Sequence, residues 1–403
     1  MTKNTLYIFA GRASNALFFF LLALVVSRQL GPAFFGVFSF LTAVVVSANC
    51  FSNLGLDIWM VREVTKTPSQ GKQYLSNILG LKIVASLVTM MLVFVIFRMT
   101  DLPQTTLNLL WILSVSILLN TVSQTLWHYG NCFKQFIYHS VLWAVSNIIK
   151  AGLGVTLVFL FYDLKVLIIG VVVAEAISMI LSFYIIRRQF GAFIPLFQIS
   201  VWKDFLVRSA PIGVAMIFGV LYFRLDIVML QLMTEEKVVG FYSAAYKLFE
   251  VAVVLSHSFM VVLFPTLVEE YHSDRILFKS RFKQAIAIFS LTGGSIALVL
   301  WSFSSEIIRM IYGDKFFPSA NILDILAVAT LFFFISFLLS HVLIAIGREK
   351  IDTWYLVGAA VLNIALNFVW IPQYGAIGAA WATLLCEIVL VAMLSFQIQK
   401  SFE

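Results

Sequence analysis

The strongest constraint on this chain is the recurrence of apolar stretches of about 20 residues or more, parted by short polar breaks. The stretch 321–345, for example, has Asp324 as its sole acid or base apart from His341. An α-helix crosses the hydrocarbon core of a bilayer in about 20 residues, with its backbone hydrogen bonds satisfied internally. Unbroken apolar runs are incompatible with the alternating strands of a membrane barrel. Composition points the same way. The chain is 61% hydrophobic and 12% charged, whereas about a quarter of a soluble domain is charged. Its mean hydropathy is +0.99. The expected fold class is all-α integral membrane, with about 12 spans over 403 residues.

Spans are expected near 5–28, 37–60, 74–98, 106–128, 137–161, 165–187, 204–231, 239–268, 282–304, 321–345, 352–371 and 375–399. Apolar character in the first stretch continues from Ala16 through Leu30, which reads as a span and not as a cleavable leader. With the N-terminus cytoplasmic, 15 of the 27 Lys and Arg residues fall on the cytoplasmic side and 6 on the outer side, the other 6 lying within spans. This asymmetry follows the positive-inside rule and implies that both termini are cytoplasmic. The net charge of +7 therefore reflects topology and not a nucleic-acid surface. Cys50, Cys132 and Cys386 are odd in number and unpatterned, which suggests neither a disulfide framework nor a metal site.

The longest connection, about 188–203, divides an expected N-terminal six-helix lobe, 1–200, from a C-terminal one, 201–403. The halves echo one another. Leu30-Gly31-Pro32 through Gly36 and Ser39 parallels Leu232 through Gly240 and Ser243. Gly170 followed by Glu175 is matched more weakly by Gly378 followed by Glu387. Parallel repeats with a substrate path between them are a common transporter plan.

Charge within the spans marks candidate functional positions, because an ionised side chain at membrane depth costs about 2.5 to 3.5 kcal/mol or more unless it meets a partner or water. The segment from Arg208 through Arg224 and Asp226, and the next one with Lys247, Glu250 and His257, are the clearest cases. Arg12, Lys82 and Lys150 are further intramembrane cations; Asp57, Glu175 and Glu387 are further acids. Snorkelling at an interface is the alternative for Arg224, Asp226, Lys82 and Lys150, and Asp57 has Arg62 within reach. Glu175 and Glu387 have no local partner in sequence, which implies protonation or pairing across helices. Polar residues recur at helical spacing: Ser39, Thr42, Asn49, Asn53 and Asp57 in the second span, and Asn120, Ser123, Gln124 and His128 in the fourth. Hydrogen bonding between helices accounts for such stripes as readily as substrate contact does. His257 and His341 read as packed residues. No nucleotide loop, metal-ligand spacing or nucleophile elbow occurs, so no cofactor is expected and an ion gradient is the expected driver.

The run Leu362-Asn363 through Asn367, Ile371-Pro372, Gly375 and Gly378 to Thr383 resembles a signature of the polysaccharide biosynthesis (O-antigen) flippases of the multidrug/oligosaccharidyl-lipid/polysaccharide exporter superfamily. Arg28-Gln-Leu30-Gly31-Pro32, Leu54-Gly55-Leu56 with Val61-Arg62-Glu63, Arg224-Leu-Asp226, and Gly240-Phe-Tyr-Ser-Ala-Ala-Tyr246 match in the family's order. The resemblance implies a V-shaped pair of six-helix lobes in the cytoplasmic membrane. It also implies that the chain is no enzyme but moves a polyprenyl phosphate- or pyrophosphate-linked oligosaccharide by alternating access, for surface polysaccharide synthesis. Arg binds a phosphate bidentately. The expected cargo-binding cations are Arg12, Arg224 and Lys247, with Arg208, Lys82 and Lys150 behind them. Asp57, Asp226, Glu250, Glu175 and Glu387 are expected to balance those cations or bind a coupling H+ or Na+. Polymerase or glycosyltransferase partners are compatible with this role, beside the membrane lipids. The alternatives are a drug/cation antiporter of the same superfamily and a membrane polysaccharide polymerase or ligase, although the latter typically needs a large outer loop.

Overall fold

Each apolar stretch becomes a helix because no other open structure satisfies its backbone in lipid. The computed structural model describes residues 20–402; Arg12 lies outside the described residues. The helices are α1 (Phe20–Leu30), α2 (Pro32–Asn53), α3 (Leu56–Lys66), α4 (Gly71–Arg98), α5 (Gln104–Cys132), α6 (Phe136–Phe161), α7 (Leu164–Phe190), α8 (Ile199–Met233), α9 (Glu236–Ser273), α10 (Arg275–Ser302), α11 (Ser304–Tyr312), α12 (Ser319–Ala345), α13 (Glu349–Tyr374) and α14 (Ala376–Phe402). Among the described residues there are 11 candidate spans, α2 and α3 together counting as one. The chain is a multi-pass, all-α membrane protein.

Several expected boundaries move. The second span starts at Pro32, and α8 starts at Ile199, five residues before its expected edge. The short helix α11 was not anticipated. Nine residues cannot cross a bilayer, and they fall where the sequence suggested only a connection.

The residues form two compact units. The first comprises residues 20–30 with Phe40–Arg224, the second Gly31–Ser39 with residues 225–402. In the first, α2 and α3 are separated by Leu54 (φ 50°) and Gly55 (φ 74°), both left-handed. A Cβ on Gly55 would lie 2.6 Å from the backbone N of Gly213. Only glycine permits this crossing with α8. The core below it packs Trp59, Tyr74 and Phe205, with ring centroids 4.9 to 5.7 Å apart. The connector expected around 188–203 is not a free loop. Leu196 N donates to Ser76 O at 2.8 Å, and a Cβ on Gly80 would fall 2.0 Å from Leu196 O, so residues 191–198 lie directly on α4. Leu87, Val88, Met91 and Leu92 farther along α4 are exposed, as a lipid-facing surface would be.

In the second unit α12 forms the centre, with Leu323, Leu326, Phe334, Leu338, Val342 and Leu343 fully enclosed. The repeat found in the sequence meets itself here. A Cβ on Gly36 would lie 2.0 Å from Glu236 O, and one on Gly240 would lie 2.0 Å from Pro32 O. The equivalent glycines thus form a reciprocal backbone crossing of the small-residue kind common in membranes. The Pro372–Gly378 stretch has a local role as well. Gly375 (φ 57°) closes α13, and a Cβ on Gly378 would strike Trp370 O at 2.5 Å, so α14 turns back tightly.

Candidate functional site

The first unit holds a buried charge centre on Asp57. The break at Leu54–Gly55 starts a new helix, and Asp57 lies in its first turn, where the helix dipole favours an acid. Lys82 Nζ, from α4, donates to Asp57 Oδ1 at 2.7 Å. Thr125 Oγ1 donates to the same oxygen at 2.9 Å, and Asn53 Nδ2 donates to Oδ2 at 3.0 Å. His128 Nδ1 stands 3.8 Å from Oδ2. Lys82 is fully buried and Asp57 is 1% exposed. Asp57 thus pairs with Lys82 and not with Arg62, which lies by Glu63 instead.

The polar face of α5 links this centre to a second pair. Lys150 Nζ donates to Glu175 Oε1 at 3.0 Å, joining α6 to α7. Asn120 Nδ2 donates to the same oxygen at 3.3 Å, and Gln124 Nε2 donates to Asn120 Oδ1 at 2.6 Å. Thr121 Oγ1 reaches Asn49 Oδ1 at 3.0 Å. The stripe therefore serves contact between helices, and Glu175 takes its partner from another helix, as its isolation in sequence implied. Arg208 is different: it is exposed and tied to Asp204 at 2.8 Å, one turn earlier on α8.

The second unit is organised around Asp226, which is 1% exposed. Tyr242 OH donates to Oδ2 at 2.7 Å and Thr383 Oγ1 donates to Oδ2 at 3.0 Å. Asn367 Nδ2 donates to Oδ1 at 2.7 Å and to Asn363 Oδ1 at 2.9 Å. All four partners are buried. Asn367 Oδ1 is buried without a hydrogen-bond partner among the described residues. The cluster thus brings together one carboxylate, amide oxygens and two hydroxyls, oxygen ligands of the kind a hard cation takes. Among the described residues no group of three or more His, Cys, Asp or Glu could hold a metal ion. One turn beyond Thr383, Glu387 accepts from Ser336 Oγ at 2.7 Å.

Arg224 lies half-buried on α8, two residues before Asp226. Lys247 is 8% exposed and donates to Glu250 Oε2 at 2.5 Å within α9. Burial, and then the charge of Glu250, raises the pKa of the Tyr312 hydroxyl on α11. His257 meets Phe337 edge-on and His341 meets it at a tilt, each 4.3 Å between centroids, and His341 Nδ1 lies 2.8 Å from Phe337 O. Both are packed, as expected.

Three stretches that the sequence singled out separately therefore meet at one carboxylate: Arg224-Leu-Asp226, Gly240-Phe-Tyr242, and the 362–383 run. A family model described as "Polysaccharide biosynthesis protein" matches residues 1–270, two-thirds of the chain. The chain belongs to the polysaccharide biosynthesis protein family. A second model, MatE, matches residues 211–369 of this polysaccharide biosynthesis protein, so it sits within the multidrug/oligosaccharidyl-lipid/polysaccharide exporter superfamily. It is 22% identical over 405 residues to a putative O-antigen transporter of Shigella dysenteriae, covering 97% of this chain and 98% of that one. It is 24% identical over 177 residues to the probable low-salt glycan biosynthesis flippase Agl15 of Haloferax volcanii, covering 43% of this chain but only 37% of the relative. The lipid II flippase MurJ, in an inward closed conformation, superposes with a TM-score of 0.81 over 98% of this chain and 87% of its own, at 18% identity. That likeness is one of fold.

The sequence reading named Asp226 but not Tyr242, Asn363, Asn367 or Thr383 as its surroundings. The last three were visible as polar residues inside an apolar signature, two of them at i, i+4 spacing. Thr125 carried no signal of its own.

Proposed function

We propose that this chain is a flippase that carries a polyprenyl phosphate- or pyrophosphate-linked oligosaccharide across the cytoplasmic membrane by alternating access, not as an enzyme but as a transporter driven by an ion gradient. Both termini are cytoplasmic in this reading, on the strength of the Lys and Arg asymmetry. The observation that carries it is the Asp226 centre. A buried carboxylate held by Tyr242, Asn367 and Thr383, each on a family-like stretch, supports a role beyond packing. Asp226, Asn367 Oδ1 and Thr383 Oγ1 would hold the coupling cation. Among the candidate cations, Arg224 is the first to test for the cargo phosphate, because it lies half-buried two residues before Asp226 on α8. The names of the Shigella and Haloferax relatives support the cargo class.

The test is the lipid-linked sugar pool of a strain lacking the gene. Build-up of a polyprenyl-linked glycolipid in the inner leaflet, with loss of a surface polysaccharide, is the expected result. The match of the MatE model favours a second reading, a drug/cation antiporter. Unchanged glycolipids with new sensitivity to cationic drugs would decide for it.

A further inference from the structure

The first unit contains a cavity of about 410 Å³ beside the Asp57 centre, with His128 in its wall. This lies within the range of roughly 300 to 1,000 Å³ of small-molecule sites. Helices α5 and α6 line it with matching faces: Gln124, Trp127, His128 and Asn131 on one, His139, Ser140 and Trp143 on the other, each set at helical spacing. Its walls are preset. Trp127 is 2% exposed and its Nε1 donates to Ser182 Oγ at 2.8 Å, fixing the indole. The rings of His128 and His139 stand 4.6 Å apart, and His139 is 5.7 Å from Trp143. Asn131 Nδ2 lies 2.9 Å from His139 Nδ1.

Two polar atoms of this lining are left over. Asn131 Oδ1 and Ser140 Oγ are buried and have no hydrogen-bond partner among the described residues, and Ser140 is only 6% exposed. A buried hydroxyl without a partner costs about 1 to 3 kcal/mol, so a native structure that keeps one at a cavity wall calls for an explanation. Ligand hydroxyls could satisfy these atoms, donating to Asn131 Oδ1 and accepting from Ser140 Oγ. The chemistry of the wall narrows the ligand. Among the described residues, no Lys, Arg, Asp or Glu lines the cavity. A phosphate would find no guanidinium or ammonium there, and an organic cation no carboxylate. Aromatic faces beside amide, imidazole and hydroxyl groups match a ring with apolar CH faces and equatorial hydroxyls. We propose that this cavity binds a pyranose ring of the glycan cargo, separately from whatever holds the carrier phosphate. The proposal rests on the flippase reading for the source of the sugar.

The test is saturation-transfer NMR on the purified full-length chain, in a detergent without a sugar head group. The probes are the methyl pyranosides of glucose, galactose, mannose, rhamnose and N-acetylglucosamine, with methyl phosphate and tetramethylammonium as controls. At least one pyranoside should show transfer to its ring protons. Ser140→Ala and His139→Phe, each still monodisperse, should weaken its binding at least tenfold, while His341→Phe in the second unit leaves it unchanged. No transfer to any pyranoside, transfer indifferent to both cavity variants, or stronger transfer to methyl phosphate would overturn the sugar site. A wild-type chain that restores surface polysaccharide yet shows no pyranoside transfer overturns the site and leaves the flippase reading intact. Pyranoside transfer together with unchanged glycolipids in the deletion strain does the reverse.

Discussion

Replacing Lys82 with Met tests whether the first unit depends on its buried ion pair. The substitution keeps an unbranched side chain of similar length and removes the ammonium that sits 2.7 Å from Asp57 Oδ1. Both groups are enclosed, so water cannot take over. Removing one partner of such a pair costs about 3 to 5 kcal/mol, because the remaining charge is buried without compensation. Here Thr125 and Asn53 still donate to the carboxylate. The loss should therefore lie near the lower end, about 3 kcal/mol. At about 2–4 °C per kcal/mol for a unit of this size, the melting temperature should fall by roughly 6 to 12 °C. The double variant Lys82→Met/Asp57→Asn removes the stranded charge and should recover more than half of that loss. The assay is apparent melting temperature in one detergent at one scan rate, since unfolding of such proteins is irreversible. A fall of less than about 2 °C for Lys82→Met, or a double variant no better than the sum of the singles, would refute the reasoning.

Three other outcomes follow from the geometry. Gly240→Ala should lower the yield of monodisperse protein sharply, because its Cβ would sit 2.0 Å from Pro32 O; Gly358→Ala, with open space around its Cβ, is the control, and equal yields would contradict the crossing. Asp226→Asn should leave transport in proteoliposomes independent of any H+ or Na+ gradient, because an amide cannot keep both carboxylate oxygens facing their donors; wild-type gradient dependence would remove Asp226 from coupling. Arg224→Ala should abolish restoration of surface polysaccharide while the protein level in the membrane is unchanged, and full restoration would exclude it from cargo binding.

Much of this protein was legible in the chain. Runs such as 321–345 can satisfy their backbone only as helices in lipid, so class and approximate span positions followed directly. The repeat about Gly36 and Gly240 was readable as residue identity, although that the two glycines cross each other was not. Edges such as Ile199 and the break at Leu54–Gly55 escaped, since apolar content does not distinguish a straight helix from one restarted by left-handed residues.

The candidate site divides along the same line. Hydropathy identified Asp57, Lys82, Glu175 and Asp226 as charges that demand partners, because burying an ion in lipid is costly wherever it occurs. It did not say which partners. Asp57 meets Lys82 25 residues away, whereas Arg62, its neighbour in sequence, turns to Glu63. Asp226 takes Thr383 from 157 residues away. Local spacing determines which residues share a helix face, and so the polar stripe on α5 could be seen in advance. Which face meets which depends on how closely backbones approach at Gly36, Gly55, Gly80 and Gly240, a property of packed helices that no single helix carries.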